Sequence, residues 1–247
     1  MKLITIPISH FCEKARWALD RANLAYVEEQ HLQLFHMLPV WRARGKRTTP
    51  VLVTADAVYP DSHCILKFAD SVSPAELRLY PDNHEQRREV LQLENAWDRR
   101  YGVDTRLIGY DVFFSMGRSM LGANDGHAPR WERLALRAMF PVGKRFMVSR
   151  LKVTPKRVQR AKDTVAQEMD KVAERLSDGR RYLTGDQFTA ADLTFAALSA
   201  PLFGVDGYGA ELPDWRQLPG ELHDMVAAYR EHPAAKFVQR IYDDERR

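Results

Sequence analysis

The sequence predicts a small α/β domain followed by a larger all-helical one, and three observations carry that prediction. Leu3, Ile4, Ile6 and Ile8 form an apolar run rich in β-branched residues. Phe11, Ala15, Ala18, Leu19 and Ala22 then share one helical face, so the chain opens as strand, turn and helix. A second apolar stretch, Val51-Leu52-Val53, follows Pro50, and proline is tolerated at the first position of a strand. In the second half the apolar spacing is helical throughout. Val90, Leu93, Trp97 and Tyr101 mark one face, and Val158, Ala161, Val165, Met169, Val172 and Leu176 mark another.

The elements follow in order. Ser9 to Cys12 form the turn between the first strand and helix, where unpaired backbone N–H groups and the helix dipole favour an anion. Ser9 and Cys12 are three apart and share a face, the geometry of a thiol-handling site, although a serine there is also an ordinary N-cap. Ala25 to Glu28 reads as a short strand, and residues 30–47 read as irregular, with Pro39 and Gly45 as breakers. Thr54, Ala55 and Asp56 make a hairpin turn leading to a strand at Ala57 to Tyr59. Asp61 and Ser62 then stand at a helix start, with Ile65, Phe68, Ala69 and Val72 on one face. Residues 71–83, with Pro74 and Pro81, read as a connecting stretch, so the expected division is 1–75, a linker at 76–84, and 85–247. Near the end, Phe188-Thr189-Ala190-Ala191-Asp192-Leu193 has the pattern of a capping box with a hydrophobic staple. The helix behind it is apolar nearly all round and is expected to be buried.

A chain of 247 residues, 45% apolar and 28% charged, can bury a sizeable core in one or two domains. It shows no basic leader with an apolar run and cleavage site. Its most apolar stretch, Leu193 to Val205, is short and interrupted by Thr194, Ser199 and Pro201, so a cytoplasmic protein is expected. Cys12 and Cys64 form neither a disulfide framework nor a zinc site and are expected to be reduced. The eight histidines show no metal-ligand spacing. His31 and His36 read as solvated loop residues, and His10 reads as a surface side chain at a helix start.

At Ser9-His10-Phe11-Cys12-Glu13-Lys14-Ala15-Arg16 the chain resembles the thioredoxin-like glutathione transferases in their serine version. The resemblance continues at Pro50, at Asp61 with Ser62, and at the Thr189 to Asp192 box. It implies a thioredoxin-like domain with a mixed four-stranded sheet, followed by an all-α helical bundle. It further implies Ser9 as the catalytic residue, with Cys12 and His10 as secondary candidates. Thr49, before a cis Pro50, would pair with the cysteinyl part of glutathione, and Asp61 and Ser62 would hold its γ-glutamyl end. Two departures stand out: residues 102–155 match no pattern, and Lys46 and Arg47 lie further ahead of Pro50 than the family's basic residue.

The leading expectation is therefore a homodimeric glutathione transferase of detoxification type, with glutathione as co-substrate, a small electrophilic apolar second substrate and no metal. Two other readings stand beside it: a non-enzymatic binding module on the same fold, and a glutathione-dependent thiol reductase using Cys12. No nucleic-acid motif is present. Residues 130–162, however, hold eleven Lys or Arg and one acid, Glu132, a net +10. The other 26 basic and 32 acidic residues leave the rest of the chain at −6. Such asymmetry is first of all what a solvated helix face, or a surface matched by acidic residues after folding, would show, and it also suits an anionic partner such as a membrane surface or an acidic substrate.

Overall fold

The computed structural model describes every residue except 118–120, 123, 124, 219 and 247. Four strands, β1 (Lys2–Thr5), β2 (Val27–Gln30), β3 (Val51–Val53) and β4 (Val58–Tyr59), form one sheet in the order β2-β1-β3-β4. β1 runs parallel to β2 and antiparallel to β3, and β3 pairs antiparallel with β4, so the sheet is mixed. Alternation along β1 sorts its side chains between two layers. Leu3, opposite Leu52, joins the main core with α1 (His10–Arg21) and α3 (Ser62–Val72), whereas Ile4, opposite Val51, packs on Val40 of α2 (Met37–Arg42).

The second half is helical: α4 (His84–Ala96), a π turn (Trp97–Tyr101), α5 (Gly102–Met116), α6 (Arg130–Leu151), α7 (Pro155–Leu176), α8 (Ala190–Phe203), α9 (Gly220–Glu231) and α10 (Pro233–Glu245). α8 is the axis of this half, buried along almost its whole length and packed on α1. Its start depends on one carboxylate. Asp192 Oδ2 accepts from the Thr189 N–H and hydroxyl, both at 2.8 Å, and Oδ1 accepts from the Leu183 N–H at 2.7 Å. Asp192→Ala leaves all three buried donors without that acceptor. We expect a loss of at least about 2 kcal/mol, read as a lower urea midpoint.

α10 closes the chain back onto α1. Trp17 Nε1 donates to the Glu245 carbonyl at 3.2 Å, Arg21 pairs with the Glu245 carboxylate at 2.8 Å, and Arg246 pairs with the buried Glu13 at 2.8 Å. The helix that begins at Ser9 is therefore gripped along its length by the second half of the chain.

Several sequence expectations need correction. β2 lies two residues later than expected, because Asn23 at φ 52° prolongs the turn after α1. Residues 30–47 include the helix α2; Pro39 sits in its first turn, where a missing N–H costs nothing. Residues 102–155 contain α5 and α6. The connecting stretch is pinned, since Asp70 Oδ1 accepts from the N–H groups of Leu79 (2.6 Å) and Tyr80 (3.0 Å).

Candidate active site

Ser9 caps α1 in an extended conformation, yet its side chain makes no capping hydrogen bond. The Cys12 sulfur accepts from the Ile6 N–H at 3.4 Å and has the Ser9 and Thr49 hydroxyls in its neighbourhood. The turn thus gathers Ser9, Cys12 and Thr49 into one cluster. Burial dominates at Cys12: the thiol is fully covered and its pKa is pushed up, although Arg16 and the neighbouring hydroxyls work to lower it. A covered, protonated thiol is a weak nucleophile. Ser9 is half-buried and closer to solvent.

The Thr49–Pro50 peptide is cis, with Pro50 buried and Thr49 half-buried. Asp61 is the N-cap of α3. Its Oδ1 accepts from the Cys64 N–H at 2.9 Å, while Oδ2 faces Lys46 at 3.5 Å. Burial works to raise the pKa of this carboxyl, but the Cys64 N–H and Lys46 outweigh it and hold the group below the usual range. One oxygen therefore serves the helix and the other is held only by an exposed lysine, a weak pairing. Ser62 follows at the first helical position, buried.

His10 is not a surface residue: it is 6% exposed, and its Nε2–H donates to the Gly102 carbonyl at 2.9 Å. Burial lowers its pKa to about 3, against the pull of that hydrogen bond and with help from Arg106, so the ring is neutral. It acts as a strut between α1 and α5. His31 is likewise buried rather than solvated, held between Glu132 at 2.6 Å and Glu29 at 2.9 Å.

Sequence reasoning missed three residues around the turn. The Tyr208 hydroxyl donates to the Ile8 carbonyl at 3.1 Å, fixing the backbone next to Ser9. Arg106, half-buried on α5, lies 5.8 Å from the Phe11 ring and pairs with no acid among the described residues. Lys14, completely buried, donates to Glu94 at 2.9 Å and to both oxygens of Asp98 at 2.8 and 2.9 Å. Glu94 also accepts from His63 Nδ1 at 2.9 Å and from the Tyr80 hydroxyl at 2.7 Å. His63, Glu94 and Asp98 have the donor chemistry of a metal site, but the cation between the two carboxylates here is the Lys14 ammonium. Lys14 lies within the Ser9 to Arg16 stretch, and its signal in the sequence is position: three after Phe11 and four before Ala18, it falls on the apolar face.

An apolar cavity opens beside Ile8, next to Ser9. Val112, Pro201, Leu202, Leu212 and Trp215 help to line it. The Trp215 indole N–H is buried without a hydrogen-bond partner.

The chain thus joins a thioredoxin-like sheet domain, with a serine at the tip of its first helix, to an all-α bundle. Two family models match the chain: "Glutathione S-transferase, N-terminal domain" over residues 3–76 and "Glutathione S-transferase, C-terminal domain" over residues 155–232. The chain belongs to the glutathione S-transferase family. Solved structures similar to it include a glutathione S-transferase from Rhodospirillum rubrum F11, at 20% identity and TM-score 0.60, covering 98% of both chains. The beta-etherase LigF from Sphingobium sp. strain SYK-6 is 16% identical with TM-score 0.61, covering 96% of this chain and 97% of that one. A theta class glutathione S-transferase from Xanthomonas axonopodis pv. citri, with glutathione bound, is 18% identical with TM-score 0.58, covering 95% and 94%. No curated protein matches the chain. Among the described residues, no helix is long and apolar enough to cross a membrane.

Proposed function

We propose that the protein is a glutathione transferase in which Ser9 donates a hydrogen bond to the glutathione sulfur and favours its thiolate, which then attacks a small electrophilic apolar substrate. The observation that carries this reading is the division of labour at the turn: the Ser9 hydroxyl is free of capping duty, while Cys12 is covered with its pKa raised. Glutathione is bound in the similar Xanthomonas structure, and here residues 1–75 would hold it, with residues 85–247 beyond the linker completing the second pocket. The physical scale is adequate. A hydrogen bond to a charged group is worth about 1.5–3 kcal/mol, and one pKa unit is about 1.36 kcal/mol, so a thiol near 8.5 falls to roughly 6.3–7.4. Arg106, beside Phe11 and without an acidic partner among the described residues, adds positive potential on the same side of the turn.

Glutathione is zwitterionic at its γ-glutamyl end, and α3 offers a matching pair. The helix N-terminus at Ser62 suits the carboxylate, and Asp61 Oδ2 suits the ammonium once Lys46 swings aside. Asp61→Asn separates this role from capping, because the amide oxygen still accepts from Cys64 N–H. We expect the Michaelis constant for glutathione to rise about tenfold or more, the size of one charge-assisted hydrogen bond, with little change in saturated rate or thermal midpoint. An unchanged constant removes Asp61 from the site. Ile8, Val112 and Trp215 would receive the electrophile, the free indole N–H meeting an acceptor atom on it. The protein is expected to act in the cytoplasm as a homodimer. Retention on immobilised glutathione with competitive elution tests the whole reading; folded protein that fails to bind would instead favour a partner-binding module on this fold.

A further inference from the structure

α6 is a surface helix whose outer face is apolar. Trp131, Leu134, Met139, Val142 and Phe146 are 60%, 66%, 54%, 73% and 57% exposed, and at 100° per residue they fall within one arc of the helix. Inward, the helix is held by Leu136 and Phe140, which pack with Leu32, Leu121 and Ala128. A soluble monomer rarely leaves such a row uncovered.

The charges around the row are of one sign. Arg130, Arg145 and Arg150 border the row; Arg133, Arg137 and Lys144 lie on the other side of the helix, where Arg137 pairs with Asp125 at 2.6 Å and Lys144 donates to the Phe114 carbonyl at 2.7 Å, and the helix's only acid, Glu132, is 1% exposed. That carboxylate is turned inward, where Oε1 accepts from His31 and Oε2 from the Leu32 N–H at 2.8 Å. The exposed surface of α6 therefore carries cations without an acid. Arg130, Arg133, Arg145 and Arg150 form no ion pair among the described residues. At its N-terminal end the Trp131 ring meets Phe35 edge-on at 5.2 Å, and Met37 and Leu38, two and three residues beyond Phe35, are exposed as well.

We propose that α6 is a peripheral membrane-binding helix, which lies in the plane of an anionic lipid surface with Trp131, Leu134, Met139, Val142 and Phe146 inserted and the flanking arginines on lipid phosphates. Three features select this occupant. The row from Trp131 to Phe146 is a ridge about 22 Å long at 1.5 Å per residue, which suits a plane rather than a pocket. Aromatic and aliphatic residues on one face with Lys and Arg beside them are the composition of an interfacial helix, and anionic headgroups attract a basic segment within a Debye length. A two-fold contact between copies would instead set like charges against each other.

The test is flotation of the purified full-length protein with vesicles of phosphatidylcholine alone and of equal phosphatidylcholine and phosphatidylglycerol, at 20 mM and 500 mM salt. We expect binding to the anionic vesicles, weakened by salt. Val142→Glu/Phe146→Glu, at exposed positions, should lower it at least tenfold while circular dichroism and retention on immobilised glutathione stay unchanged. Absence of binding to anionic vesicles at low salt overturns the proposal. So does binding that the double substitution leaves intact, which would mean charge attraction without insertion. A dimer that the double substitution dissociates, in protein that ignores vesicles, would assign the row to a second copy and equally overturn it.

Discussion

Ser9→Ala is expected to raise the pKa of bound glutathione by about one to two units, the hydrogen-bond magnitude divided by 1.36 kcal/mol per unit. At neutral pH the thiolate fraction, and with it turnover, should fall roughly tenfold or more, with partial recovery as the pH is raised through the new pKa. The fold should be unaffected, because the Ser9 side chain supplies no capping bond to α1. Glutathione affinity should also largely survive, since the contacts assigned to Thr49, Asp61 and Ser62 remain. Thiolate absorbance near 240 nm against pH reads the shift directly. The paired variant is Cys12→Ser, expected to be nearly silent in the same assay because a covered thiol with a raised pKa takes no part in the transfer. Activity lost in Cys12→Ser and kept in Ser9→Ala would reverse the assignment in favour of the reductase reading.

The parts of this molecule that sequence made legible are those whose physics is local. Strand and helix periodicity located β1, α1, β3, α3, α7 and α8, and the Thr189 to Asp192 spacing located the start of α8. Short-range chemistry also brought Ser9 and Cys12 to one face of a turn. What stayed hidden depends on long-range contact. α2 was obscured because Pro39 reads as a breaker unless its place in the first turn is known. His10 and His31 read as polar surface residues, and only tertiary packing supplies Gly102 for one and Glu132 for the other. Arg106 and Tyr208 reach the turn from 97 and 199 positions beyond Ser9. α5 gave no face to read because its apolar residues are spread around the helix.

The largest effect on stability is expected at Lys14. Its ammonium is completely buried, and its pKa is raised despite that burial because Glu94 and Asp98 surround it. Lys14→Met removes the cation from between two carboxylates that stay largely buried, and breaking a buried pair from one side costs about 3–5 kcal/mol. The network joins α1 to α3 through His63 and to α4 and the π turn through Glu94 and Asp98, so the loss should also loosen the helix that carries Ser9. The dependence on pH follows from Glu94. Burial works to raise its pKa, but Lys14, His63 and Tyr80 outweigh it and bring the folded value down to about 2 from an ordinary 4.5. A depressed carboxyl contributes stability above its unfolded pKa and loses that contribution as the pH falls through the folded one. The gap between wild type and Lys14→Met should therefore be larger at pH 7 than in acid and narrow as the pH falls toward about 2, the folded value of Glu94 in the wild type. Lys14→Met/Glu94→Gln should recover part of the loss at pH 7, since it removes the more deeply buried of the two stranded charges; Glu94 is fully covered and Asp98 is 16% exposed. Urea midpoints followed by circular dichroism at pH 7 and pH 3 measure all three proteins. A penalty below about 1 kcal/mol at pH 7, or a gap that does not narrow in acid, would show that the buried ion pair contributes no more than an exposed one.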